Sequence, residues 1–587
     1  MSDSPLAEPS PEPEPKPEFN TAPPSSSSPP PPPPPPTPQW ASQSLTPARE
    51  ALLVFTTCMA QFCTQAAFFA TLVLLQPIGD SLGVQSRPRL AWLVAGYSLA
   101  AGTLIIFCGR LGDVYGHGRM LVVGYGWFAL WSCITGLSVY SGFHLAVFAR
   151  VMQGVGPAVC LPNALAVLGT AYPPGHRKAM VFALFGAVAP VGAIIGGAFA
   201  SLLALAWWPW AMWTLALWLL VLAGLAAVVV PRDDFNDEDD DDDDDDNKKT
   251  VQSPLRRFKA VVDALDLSGA VIGISALVLF NFAWTQAPVD GWGKPSVLVP
   301  LVAGIALFAL FLYIEMKISP APLLPLDVIS ADVGFVLAAV VCGWASFGVW
   351  TLYLIQTLQD ARRLSPLLLT AYLSPVAVAG AAAAVVTGLM LGPLRFGPPT
   401  VMTIALSAFT VGSLLTALAP VHQTYWAQIF VAVIIMPLGM DCSFPAATLI
   451  LSNAVPRRHQ GMGASLVSTV VNYGIAIGVG LAGTVEMHVQ GDPDTAEGRL
   501  QGYRGALFVG LGVAALGLAV CLVFILRDRL LRGHEAEEAR SSEKGVIVPR
   551  SIEEGGVVAV EEEKGEKGKK MDASGTFVSM PDKTLVK

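Results

Sequence analysis

Fourteen apolar stretches dominate the chain. They run Ala51–Leu75, Leu90–Cys108, Leu121–Val139, Leu145–Leu168, Met180–Leu203, Trp213–Val230, Leu267–Ala283, Val297–Met316, Val333–Leu358, Leu367–Leu391, Val401–Leu418, Trp426–Leu451, Ala464–Val485 and Ala506–Leu526. A helix rises roughly 1.5 Å per residue, so each stretch is about long enough to cross a bilayer core. Hydrophobic residues make up 53% of the 587 and charged residues only 14%, which is too apolar for a soluble protein of this length. Lipid offers the backbone no partners, so spanning segments this long must be helices. The fold class expected is an all-α polytopic membrane protein of about fourteen transmembrane helices.

The remaining segments read as solvated. Residues 1–48 include Ser25 to Ser28 and Pro29 to Pro36, a composition that favours extended chain and buries nothing. Residues 231–262 contain the run Asp239 to Asp246, whose self-repulsion marks a linker. It lacks the turn glycine and spaced terminal carboxylate of a calcium loop. The tail, 527–587, is polar and reads as disordered. All eight cysteines fall in apolar runs without ligand spacing, so neither a metal site nor a disulfide framework is expected. Placing both termini in the cytosol puts Arg110, Arg119, Arg177, Lys178, Arg256, Arg257 and Arg527 on the inner side and leaves few basic residues outside.

An offset of 282 residues carries Pro174 onto Pro456, Gly192 onto Gly474, Gly196 onto Gly478 and Cys160 onto Cys442. The chain therefore reads as a six-span half (49–230), two inserted spans with a loop (263–328) and a second six-span half (329–526).

Charged and polar groups inside the apolar runs are the candidate functional residues. Between spans 2 and 3, Gly109, Arg110, Asp113, Gly116 and Arg119 form a tight charged loop. Span 4 carries Arg150 and Gln153, and a buried arginine needs an acceptor, a water-filled cavity or a route to the interface, or serves as a brace between helices. Span 5 carries Gly186, Pro190, Gly192, Gly196 and Gly197, small residues that let a neighbouring backbone approach closely. Span 12 carries Asp441 between Pro437 and Pro445, where two missing amide donors predict an interrupted helix. The acid is read either as a proton carrier or as a structural group bonded to Ser443 or a neighbouring helix. Glu486 ranks second among the buried acids. Gln65, Gln153, Asn163, Gln356 and Asn472 are candidates to line a cavity.

The loop fits the pattern G-x-L-x-D-x-x-G-x-x-R through Gly109, Leu111, Asp113, Gly116 and Arg119, and span 4 fits R-x-x-Q-G-x-G from Arg150 to Gly156. These motifs resemble those of major facilitator superfamily transporters. The stretches Gly439–Ala447, Leu451–Gly461 and Ala206–Ala211 are similar to a fungal branch named for aminotriazole resistance, within the fourteen-span drug:proton antiporters. The resemblance covers about Arg49 to Leu526. It implies two six-helix halves around a midplane cavity, a latch in which Asp113 meets the start of a helix in the other half, an aid to proton movement at Arg150, and an antiporter-type motif at Pro190. There the usual preceding glycine is Ala189, and the first span lacks the acid that many such antiporters carry.

The function so implied is proton-coupled efflux of small toxic organic compounds by alternating access. It needs no cofactor beyond the proton gradient, no nucleic acid and no covalent chemistry, with a small-molecule substrate, protons and the lipid bilayer as partners and a monomer as the working form. The location implied is the plasma membrane, with the vacuolar membrane as the alternative. Two other readings stay open: a proton-coupled importer of a nutrient or metal chelate, and a receptor or scaffold that has lost transport.

Overall fold

The computed structural model describes residues 45–173, 176–230, 266–319, 330–454, 460–492, 495–544, 570–571 and 577–578. The proline-rich arm up to residue 44 and the acidic linker at 231–265 lie outside the described residues, as do Pro174 and Pro456 of the repeat.

Among the described residues fourteen helices are long and apolar enough to cross a membrane. The first six are α1 (Pro47–Val73), α2 (Arg87–Tyr115), α3 (His117–Leu137), α4 (Phe143–Ala171), α5 (His176–Ala204) and α6 (Pro209–Val229). The inserted pair is α7 (Leu267–Asp290) and α8 (Pro295–Lys317). Then come α9 (Ala331–Gln356), α10 (Pro366–Leu391), α11 (Pro398–Ala417), α12 (Ile429–Ala454), α13 (Gln460–Val489) and α14 (Ala496–Lys544). Pro375 bends α10 at Ser374, because a proline cannot donate its amide to the preceding turn.

Three sequence expectations are corrected. The charged loop after span 2 is hardly a loop: α2 runs to Tyr115, α3 starts at His117, and Gly116 alone makes the turn at φ +91°, a backbone state only glycine adopts cheaply. Span 12 is not interrupted, since α12 is helical through both Pro437 and Pro445. Neighbouring helices hold it while the carbonyls of Val433 and Asp441, four residues before each proline, go without their helical donor. The last helix continues to Lys544, beyond the expected end of the span, over a stretch rich in the good helix formers Ala, Glu and Arg. The segment from Leu526 onward forms a compact unit of its own, in which Lys570–Met571 pair antiparallel with Phe577–Val578.

The duplication is visible in backbone contacts. A Cβ on Gly192 would stand 2.8 Å from the Cα of Phe62, and one on Gly196 2.5 Å from the Cα of Ala66, both in α1. In the second half a Cβ on Gly474 would lie 3.3 Å from the Cα of Val341, and one on Gly478 2.7 Å from the Cα of Ala345, both in α9. Thus α5 crosses α1 as α13 crosses α9, on matching glycines. The partner residues are related by 279 positions rather than 282, so three residues have been gained or lost between the crossing helices and not within them. Gly196→Val and Gly478→Val are each expected to destabilise the bundle by about 1–3 kcal/mol through overpacking, read as a lowered unfolding temperature of the solubilised protein. Equal stability in either variant would mean that the crossing is loose.

The halves meet along two seams, α2 against α13 and α5 against α10. The repeat relates α2 to α10 and α5 to α13, so the seams are one contact made twice. Helix α7 lies over the first seam and touches both of its helices, while α8 packs on α7 at the periphery.

Candidate transport site

On the α5/α10 seam, a Cβ on Gly380 would stand 2.8 Å from Pro190 Cβ and 3.3 Å from Asp441 Oδ2. Asp441 thus projects from α12 onto the line where the halves touch. Its Oδ2 is enclosed and, among the described residues, has no hydrogen-bond partner, and a charge held there without a partner is costly. Ser443 does not bond it: that hydroxyl donates to the carbonyl of Met440 and accepts from Trp344 Nε1 at 3.1 Å. The offset of 282 carries Pro190 onto Asn472 and Asp441 onto Val159. Asn472 packs on Gly102 at the α2/α13 seam just as Pro190 packs on Gly380. The two seams therefore share a shape at this level, where Asp441 stands on one of them.

Of the other span 5 residues, Gly192 and Gly196 meet α1, Gly197 packs on Phe69, and Gly186 has open space where a Cβ would be.

The α2/α13 seam is tied together near its middle. Thr103 and Tyr473 share a hydrogen bond of 2.6 Å, and the Thr469 hydroxyl donates to the Gly102 carbonyl at 3.1 Å. Toward the Val489 end of α13 the seam opens into a cavity between α1, α2, α7, α9 and α13. Gln356 and Glu486 lie on its wall, the latter receiving the Tyr353 hydroxyl at 2.7 Å. Asp441 is not on that wall.

Arg150 is fully buried inside the first half. Its Nε donates to the Leu93 carbonyl at 2.9 Å, its Nη1 donates to Gln153 Oε1, and its guanidinium stacks 4.3 Å from the centre of the Tyr97 ring. Gln153 passes the chain on to Ser132 at 2.6 Å. This is a brace joining α2, α3 and α4, and among the described residues no carboxylate bonds to it. Gln153 is thereby engaged away from the cavity.

Asn163 is engaged likewise. Its Nδ2 donates to the carbonyls of Val159 at 2.7 Å and Cys108 at 3.2 Å, so its Oδ1 accepts from His117 Nδ1 at 2.8 Å. The other nitrogen of His117 lies 3.4 Å from Asp113. Among the described residues the ion contact of Asp113 is thus with its own turn. Asp113 sits in the last turn of α2 and faces solvent, with its side chain 67% exposed. Arg119 follows in the first turn of α3, and Arg110 lies two turns before Gly116. Asn472 donates to the Ser468 carbonyl at 2.8 Å, and Gln65 is half-buried in α1. Asp113→Ala should change stability by less than about 1 kcal/mol, since exposed ion pairs contribute little; a larger drop in unfolding temperature would show that the turn depends on it.

Sequence reasoning missed Tyr97, His117, Tyr353 and Gly380. His117 was detectable as the partner four residues after Asp113; the others depend on contacts between distant helices, which periodicity does not report.

Near the start of α1, Glu50 accepts from Tyr172 and Arg177, each at 2.7 Å. Burial first, and then that carboxylate, push the Tyr172 hydroxyl well above its ordinary range, so it stays a donor.

The pattern that defines the Major Facilitator Superfamily matches residues 57–388 and again 335–564. The chain belongs to the major facilitator superfamily. A low affinity ammonium transporter of Saccharomyces cerevisiae is 46% identical to this superfamily member over 81% of the chain and 88% of its own length. The efflux pump terG of Aspergillus terreus is 38% identical over 85% of the chain and 90% of its own. The aminotriazole resistance protein of Saccharomyces cerevisiae is 33% identical over 84% and 87%. Among solved structures, a peptide transporter POT in complex with sulfate superposes with a TM-score of 0.55 at 16% identity, over 80% of this chain and 94% of that one, a likeness of fold alone. This major facilitator transporter is a multi-pass integral membrane protein of the fungal branch that includes efflux pumps.

Proposed function

We propose that the protein exports small toxic organic compounds in exchange for protons, as a monomer in the plasma membrane with both termini in the cytosol. The observation that carries this reading is the Asp441 carboxylate, with one oxygen enclosed and, among the described residues, unpartnered, lying beside Gly380 where Pro190 of the other half packs on it. A proton taken up there removes a charge from the seam, and its release restores one. Rocking of the halves would expose the group to water on alternate sides, which links proton movement to the change of access. One proton moving down the membrane potential supplies about 2.3 kcal/mol per 100 mV. Outward direction is supported by the printed names of the terG and aminotriazole resistance relatives and by the glycine-rich run around Pro190.

The ammonium transporter relative favours a second reading, proton-coupled uptake of a small cationic nutrient. Inside-out vesicles separate the two. Accumulation of compound driven by an inside-acid gradient supports export, whereas accumulation only in right-side-out vesicles with an inward proton gradient supports uptake.

A further inference from the structure

Helix α1 ends on a carbonyl that its own chain cannot serve. Pro77 stands four residues after Val73 and has no amide hydrogen, so it gives the Val73 carbonyl no helical donor. The chain turns at Leu74 and restarts as a short helix, Leu75–Ser81. A donor comes instead from the other half of the molecule: Gln359 Nε2 reaches the Val73 carbonyl at 2.9 Å. This bond joins α1 to the end of α9 and lies off both seams.

The backbone that aims Gln359 is equally specific. Residues Thr357–Ala361 wind as a π turn at the end of α9, and the Arg362 amide donates five residues back to the Thr357 carbonyl at 3.3 Å. An α-helical turn holds 3.6 residues, so one extra residue swings the side chains that follow by roughly 100°, and such turns recur at functional sites. The turn is fastened to the second half on its other sides. Asp360 accepts from Tyr503 of α14 at 2.7 Å, and Arg362 Nη2 donates to the Pro420 carbonyl at 3.3 Å. Leu72, next to Val73, and Gln356, just before the π turn, both line the cavity, so the bond stands one step beyond that lining toward the Val489 end. The stretch below is held separately by the Thr103–Tyr473 and Thr469–Gly102 contacts. A neutral amide on a single carbonyl suits a tie that is made and broken repeatedly, since no charge is desolvated and both groups find water when it opens.

We propose that the Gln359–Val73 bond is the latch that shuts the cavity at this end, and that opening there begins with its release while the π turn stays with the second half. The proposal rests on alternating access, and on neither the direction of transport nor the coupling role of Asp441.

The test uses the full chain in nanodiscs with no gradient. Thr351→Cys puts one thiol on the cavity wall, where the described lining residues include no native cysteine, and its labelling by a membrane-impermeant cationic methanethiosulfonate is timed. Adding Gln359→Ala should speed labelling about fivefold, the effect of losing one hydrogen bond. Pro77→Ala, which offers Val73 a helical donor of its own, should act likewise, and Gln359→Ala on top of it should add less than about twofold because both changes remove the same bond. Ser468→Cys, on the tied stretch of the seam, should label at the same rate with or without either change. Thr351→Cys rates within about twofold of the starting protein in both variants would overturn the latch. So would full additivity of the two changes, or an equal rise at Ser468→Cys, which would mean a bundle loosened throughout. Where one variant does not yield folded protein, the other decides through the same two thiols. Labelling without a gradient reports on opening alone, so these failures leave the coupling role of Asp441 standing, and unchanged proton dependence in Asp441→Asn leaves the latch standing.

Discussion

Asp441→Asn is expected to lose proton-driven accumulation in inside-out vesicles by at least about tenfold, the effect of removing one interaction of about 1.4 kcal/mol from the working cycle. Asparagine keeps the size and polarity of the side chain but cannot take up or release a proton, so packing against Pro190 and Gly380 is preserved while coupling is not. Energy-independent exchange of labelled for unlabelled compound should survive in this variant, because alternating access itself needs no proton step. Asp441→Glu should restore coupling only in part, since Gly380 and Pro190 leave little room for another methylene. An Asp441→Asn protein with the parent's proton dependence would remove Asp441 from the mechanism.

Arg150→Met is expected to destabilise the first half by about 1–3 kcal/mol, the cost of leaving a buried acceptor without its donor. The methionine fills much of the volume but leaves Gln153 Oε1 and the Leu93 carbonyl without their donors, and it removes the cation from the Tyr97 ring. Arg150→Lys should recover only part of this, because an ammonium is a point donor and cannot make the Nε and Nη1 bonds in their forked geometry while lying flat on a ring. The measurement is the unfolding temperature and the monodisperse yield of the solubilised protein. If Arg150→Met kept the parent's stability and lost only proton dependence, Arg150 would belong to the proton path and not to the frame.

Much of the architecture was legible because the bilayer forces long apolar helices, and the matched glycines at 192, 196, 474 and 478 announce the repeat directly. What sequence could not supply is which helices face each other across the seams. Arg150 illustrates the limit: its motif predicts burial, yet the choice between proton aid and brace depends on Leu93, Tyr97 and Ser132, which lie on other helices. Span 12 illustrates another. Two prolines argue for a break, but the surrounding packing keeps α12 helical and bares carbonyls without opening the chain. The charged turn shows a third, since the motif locates Asp113 and Gly116 but does not include His117, which meets both Asp113 and Asn163.

Helix α7 is held unequally by its two neighbours. On α13 it meets Gly480 and Gly483 at close quarters through Trp284 and Pro288, and the Trp292 indole, just past its end, donates to Thr484 at 3.1 Å. On α2 its polar tie is the indole of Trp92 donating to Gln286 at 3.0 Å, beside the Trp92–Phe282 ring contact. In a rocking cycle the extra pair of helices would therefore ride as cargo of the second half, and the Trp92–Gln286 face would be the shear plane along which the first half slides past it.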